Sequence, residues 1–183
     1  YVVSETAESL ELIIGKLLVL VPVVTLTLMP YIRGYPVYGR ADVLSHLGMI
    51  RDITEFGLED NIYPPMHILV QSLASATGLE AAAVINLLPV GFPVVFIGSM
   101  YLLLGQLFER RQAALFAVPF VLYPAMGPGH VQAVPFTLSL LLTPLAMYLL
   151  VKEQRTRAIP IRVMLPIALV GVILYHPLTA LFI

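Results

Sequence analysis

The chain has no cysteine and no tryptophan, and only 11% of its 183 residues are charged. Without cysteine there can be no disulfide, no thiolate metal ligand and no cysteine nucleophile, and no redox compartment can be read from that residue. Soluble domains carry roughly a quarter charged residues. Here 59% of residues are hydrophobic and the mean hydropathy is +0.92, so the chain reads as an all-α integral membrane protein. A formal net charge of −1 removes the basic surface that nucleic acid requires. Membrane lipids and partner membrane subunits are the expected company. Missing too are a phosphate-cradling glycine loop, a nucleophile elbow and an HExxH pair, so neither a nucleotide-driven motor nor a zinc protease fits. The first apolar run follows Glu5, Glu8 and Glu11, where a signal peptide would have a basic start, so it is expected to be retained as a span. The chain opens on Tyr1 and stops inside LTALFI. It is therefore expected to be a piece of a longer protein, cut short at its C-terminal end.

What is present divides into an expected leader over 1–11, a first span over 12–29, a polar loop over 30–80 and a helix bundle over 81–183. Leu12–Met29 is about 18 residues, near the minimum of roughly 17 that crosses a hydrocarbon core. Lys16, one turn in, can extend toward the interface. Pro30, Gly34 and Pro36 are expected to stop this helix. The loop gathers six of the eleven acidic residues, three of the ten basic ones and two of the four histidines. Within it the patterning predicts a helix from Asp42, as N-cap, to Phe56, stopped by Gly57. Its apolar face would hold Leu47, Ile50 and Ile53, flanked by Val43, Leu44 and Phe56, with Asp42, Ser45, His46, Asp52 and Glu55 on the polar face. A second helix, from Pro65 to Thr77, is begun by a proline pair and stopped by Gly78. At 13 residues it covers about 20 Å, short for a crossing.

Further apolar runs follow at Ala81–Phe108, Ala113–Tyr123, Pro135–Val151 and Pro160–Tyr175, with kinks expected at Pro89, Pro93 and Pro144. About five transmembrane helices result. The short turns holding Glu109, Arg110 and Arg111, and Lys152, Glu153, Arg155 and Arg157, are basic and belong in the cytoplasm with the N-terminus. The polar loop is then extracytoplasmic, its two short helices interfacial, and His46, His67, His130 and His176 share the outer side with Asp42 and Asp52.

Asp42 is the first acid after the first span, with Ser45 at i+3 and His46 at i+4 on the same helix face. A carboxylate there can serve as a general base toward a hydroxyl, can join His46 in an oxygen and nitrogen site for a divalent metal, or can simply cap the helix. Tyr63 and His67 sit around Pro64 and Pro65, a rigid helix entry. They would face the cavity of Asp42 or merely begin a helix. Arg33 and Arg40 suit a phosphate or lipid headgroups. His130 in MGPGHVQ and His176 before Pro177 lie in irregular backbone, which at membrane depth lines a cavity or water.

The run Asp42, His46, Ile50, Ile53, Gly57 followed by Tyr63, Pro64, His67, Ile68 and Leu69, then a long span, Arg110–Arg111 and a late HPLTAL, resembles the N-terminal half of GT-C type membrane glycosyltransferases. It is most similar to the archaeal and bacterial members related to protein mannosyltransferases and aminoarabinose transferases. The resemblance implies a prokaryotic plasma membrane protein with jaw-like helices in its first extracytoplasmic loop and a lipid-linked sugar donor on a polyprenyl phosphate. It also implies a catalytic carboxylate at Asp42; the residues read above add Arg40, Tyr63, His67 and His176 as expected substrate-binding residues and a divalent metal on Asp42 and His46 as a candidate cofactor. The family's acidic pair is Asp42-Val43 in this chain. From a different class comes the reading as a noncatalytic multi-pass subunit or a transporter, for which Pro89, Pro93, Pro144 and Pro166 would break spans around a substrate. Charges within the spans are confined to Lys16 and Arg162 near their ends, which argues against ion coupling.

Overall fold

A computed structural model describes residues 2–39, 41–58, 61, 63–108 and 132–182, and among these every regular element is helical. The elements are α1 (Val2–Ile32), α2 (Ala41–Phe56), α3 (Pro64–Thr77), α4 (Ala81–Leu107), α5 (Pro135–Thr156), α6 (Ile159–Tyr175) and a 3₁₀ helix (Pro177–Phe182). Among the described residues three helices are long and apolar enough to cross a membrane: α1 through Ile13–Ile32, α4 and α5. The 17-residue α6 is apolar but shorter. The expected run over 113–123 and the turn at 109–111 lie outside the described residues.

The long central helix is α4. It packs against α1 and α5, α5 packs against α6, and α2 and α3 sit over the N-terminal end of α4. Polar contacts orient these helices. Asn86, in the second turn of α4, hydrogen-bonds the backbone just after α1, whereas the Lys16 ammonium, midway along α1, lies 5.1 Å over the Tyr101 ring near the C-terminal end of α4. Thus α1 and α4 run antiparallel. Arg155 donates to the Gln106 side chain at 3.4 Å, which sets the C-termini of α4 and α5 side by side. Arg162 pairs with Glu153 at 3.1 Å across the short α5–α6 turn. One end of the bundle therefore holds Lys16, Arg155 and Arg162, and the other holds α2, α3 and the C-terminal end of α6.

At that second end a core forms from Val43, Leu47 and Ile50 of α2, Met66 and Val70 of α3, and Val84, Ile85 and Leu88 of α4. Each such side chain withdrawn from water contributes about 1.5–3 kcal/mol. A second cluster, Val23, Phe96, Met100, Leu103, Leu104 and Leu141, fills the middle of the bundle between α1, α4 and α5.

The elements differ from the sequence reading in four places. The first helix begins at Val2, so 2–11 and the expected first span are one helix, and it passes through Pro22 and Pro30 to Ile32. Gly34 follows with a left-handed φ of 71°. Asp42 is not the cap of α2 but lies inside its first turn, since the helix starts at Ala41; its carboxylate still favours the positive end of the helix dipole. On α2 the buried stripe is Val43, His46, Leu47 and Ile50, while Leu44 and Phe56 are 56% and 69% exposed. His46 thus belongs to the inner face, because a polar partner awaits it there. Finally, Lys152, Glu153 and Arg155 are the last turns of α5, and the chain reverses at Arg157 in a left-handed conformation.

The segment joining α1 to α2 is held from α4. The Asn86 side-chain oxygen accepts from the Tyr38 N–H at 2.9 Å, and its NH₂ donates to the Tyr35 and Pro36 carbonyls at 2.8 and 3.1 Å. At Gly39, with φ 146°, an added Cβ would run into the Val43 side chain. The chain enters α2 close against its own first turn for that reason. Replacing Asn86→Leu strands a backbone donor and two carbonyls, a loss on the order of 1–3 kcal/mol. It should lower the thermal midpoint of the detergent-solubilised protein and speed proteolysis within 33–39; an unchanged midpoint and cleavage rate would show that the hook is dispensable.

Candidate functional site

The site grows from the entry to α3. The Asn61 side-chain oxygen accepts the Tyr63 N–H at 3.1 Å, a side-chain turn that Asn forms readily two residues ahead of its donor. Pro64 and Pro65 then occupy the first helical positions, where their missing N–H groups and fixed φ cost nothing. His67 is thereby delivered to the first turn, fully buried. Its Nδ1 lies 2.6 Å from the same Asn61 oxygen, and its Nε2 lies 3.0 Å from His46 Nδ1 on α2. Asn61, His67 and His46 form one continuous series across two helices.

Aromatic rings extend it. Tyr63 meets His46 edge-on at 5.6 Å between centroids and stacks nearly flat on His176 at 5.8 Å and 11°. Phe136, at the start of α5, sets its edge against His176 at 5.2 Å. His176 is placed by the end of α6. Its N–H bonds to the Val172 carbonyl at 3.1 Å, and the same carbonyl accepts the buried Ser139 hydroxyl of α5 at 2.8 Å. The Thr179 hydroxyl lies 3.4 Å from His176 Nδ1. Four elements therefore converge here: α2, α3, the start of α5 and the end of α6.

Burial works against charge on both inner imidazoles. His67 is pushed down to about 4, first by desolvation and then by the neighbouring His46. His46 is also lowered by desolvation, with the Asp42 carboxylate one turn away acting in the opposite direction. Desolvation favours the uncharged form of both rings at neutral pH, and their mutual hydrogen bond needs a proton on one of the facing nitrogens and a lone pair on the other.

Of the residues singled out from sequence, the structure brings His46, Tyr63, His67 and His176 together. Asp42 is exposed, one turn before His46 and on its rim. Arg40 and His130 lie outside the described residues. Asn61 and Phe136 were not foreseen. A signal for Asn61 existed, since Asn placed shortly before a proline pair is a turn-former whose side chain needs a donor. Both nitrogens of His67 and Nδ1 of His46 are engaged, which leaves Asp42 and His46 Nε2 as metal donors. Among the described residues no group of three or more His, Asp or Glu is placed to hold a metal ion, so the residues present do not fit a closed metal site. Comparison with family models, with curated proteins and with solved structures finds no match.

A folded state that keeps two histidines neutral binds fewer protons than the unfolded chain over the window between their lowered values and the ordinary 6.5. Stability contributed by the pair is therefore complete above about pH 7 and is lost as pH falls from about 6.5 toward about 4. For His67 the full shift corresponds to on the order of 3 kcal/mol. The thermal midpoint in detergent should drop through that window in the wild type and less steeply in His67→Leu, and equal slopes would assign the acid sensitivity to other groups.

Proposed function

We propose that the chain is the N-terminal part of a GT-C type glycosyltransferase of a prokaryotic plasma membrane. It moves a sugar from a polyprenyl phosphate to a hydroxyl or amide acceptor on the extracytoplasmic face. The observation that carries this reading is the convergence of Tyr63, His46, His67 and His176 from separate elements at one end of an apolar bundle, with Asp42 on the rim. The opposite end holds Lys16, Arg155 and Arg162, and a basic end belongs in the cytoplasm. On that orientation the N-terminus is cytoplasmic. The short helices α2 and α3 are the jaws over the outer leaflet, and α6 adds a crossing to the three longer helices of a chain with about five spans.

A hydrophobic carrier needs an apolar berth beside the chemistry. A groove of about 450 Å³ between α3, α4 and α5, lined by Leu69, Leu73, Leu88, Phe92 and Leu142, is apolar enough for such a carrier, and Asp42, Tyr63, His67 and His176 do not line it. Asp42 is the catalytic carboxylate, Arg40 meets the donor phosphate, Tyr63 and His176 form the wall against the sugar, and His67, fully buried with both nitrogens engaged, supports His46 behind them. The acceptor oxygen attacks the anomeric carbon from the face opposite the phosphate. The carbon–phosphate oxygen bond breaks with its electron pair leaving on phosphate, and the acceptor proton passes to the protein, giving inversion.

The second reading, a noncatalytic subunit that docks other membrane chains, is favoured by one observation. Among the described residues no buried side-chain polar atom lacks a partner, as in a purely structural histidine pair. Proteoliposomes charged with a polyprenyl phosphate sugar and a hydroxyl acceptor separate the two. Asp42→Asn should cut transfer by about 10²–10⁴-fold without moving the thermal midpoint. A variant as active as the wild type removes Asp42 from the chemistry, and carrier binding without turnover by either form favours the subunit.

A further inference from the structure

The series from Asn61 to His46 has a direction that follows from proton inventory alone. A backbone N–H can only donate, so the Asn61 group that meets the Tyr63 N–H is the oxygen. That same oxygen meets His67 Nδ1, so the proton sits on Nδ1. In a neutral imidazole the other nitrogen is then an acceptor. His67 Nε2 faces His46 Nδ1, which must carry the proton in turn. His46 Nε2 is left with its lone pair as an acceptor. A polar turn at the entry to α3 thus selects a tautomer two residues away in the series, on a different helix.

We infer that His46 Nε2 is the atom that takes the acceptor's proton, with His67 and Asn61 as positioning residues and Asp42 balancing the charge that appears on the ring. This rests on the transfer reading above and assigns its proton. As the acceptor oxygen bonds to the anomeric carbon, its O–H bond breaks and the proton moves to Nε2, while the former C–O electron pair leaves on phosphate. His46 becomes an imidazolium that keeps its Nδ1–H donated to neutral His67. Burial keeps His46 unprotonated and able to accept before the step. Asp42, within the same helix turn, favours the protonated form after it. The groups facing His46 are Asp42 on its own helix and His67 and Tyr63 from α3, with His176 behind Tyr63.

Two measurements test the inference. In lipid nanodiscs, imidazole ¹⁵N NMR of histidine-labelled protein should show neutral His46 and His67 with the proton on Nδ1, and Asn61→Leu should release both into mixed tautomers. A wild-type His46 protonated on Nε2 at neutral pH overturns the proposal without any assay of transfer. In proteoliposomes with a polyprenyl phosphate sugar, His46→Gln should lower kcat about 10²–10⁴-fold with little change in KM. The acid limb of the wild-type kcat profile should coincide with the His46 titration seen by NMR. Asn61→Asp keeps the acceptor for Tyr63 and His67, adds a negative charge and should move that limb to higher pH. An active His46→Gln, or a limb unmoved in Asn61→Asp, overturns the proton assignment and leaves the transfer reading standing. A wild type with the expected tautomers but no transfer overturns both, and the NMR result shows that the chemistry, not the geometry, was at fault.

Discussion

The hydrogen bond between His46 and His67 ties the polar half of the molecule together. Two imidazoles removed from water and left unpaired would each forfeit on the order of 1–3 kcal/mol. Paired, they fix how α2 lies on α3, because only one register brings Nδ1 of one ring to Nε2 of the other. The apolar contacts around them, Val43, Leu47 and Ile50 against Met66 and Val70, hold the two helices together but tolerate sliding. A directional bond does not. Asn61 completes the constraint, since its one oxygen serves both the turn into α3 and the second histidine.

The bundle beneath supplies a fixed base. Helices α1 and α6 turn many apolar side chains outward, among them Leu17, Leu18, Val163 and Ile167. What orders the helices there is packing and a few polar links. Asn86 anchors the chain leaving α1, and Ser139 joins α5 to α6 one turn before His176. These two links lie at the same end, which is why rings from distant parts of the chain meet beside α3. The charged side chains that cross between helices, Arg155 to Gln106 and Arg162 to Glu153, lie at the other.

Much of the helix layout was legible because its causes are local. Gly57 and Gly78 follow the last residues of α2 and α3, and Gly78 takes the left-handed conformation that closes a helix at no steric cost. The proline pair opens α3, and the long apolar run over 81–107 is a single helix through Pro89 and Pro93. The ends of α1 were less legible. Pro30 reads as a stop, but it falls in the last turn, where few backbone bonds remain to be lost. The inner face of α2 was misassigned at His46, since hydropathy ranks a histidine as polar without regard to whether a partner is buried with it. His67 and Tyr63 could be picked out as chemistry-bearing from their place at a helix start, whereas Asn61 is marked only as a turn-former ahead of a proline pair and Phe136 carries no mark.

Composition and periodicity alone determined that this chain is helical, that several of its helices are apolar enough to cross a membrane, and that its ionisable side chains gather in one stretch between them. Those properties add up residue by residue. Which imidazole faces which, where Asn61 sends its oxygen and what His176 stacks upon were decided only in three dimensions. Such contacts join residues 6, 21 and more than 100 positions apart, and their energy depends on distance and direction at the ångström scale, to which no pattern along a single strand of sequence is sensitive.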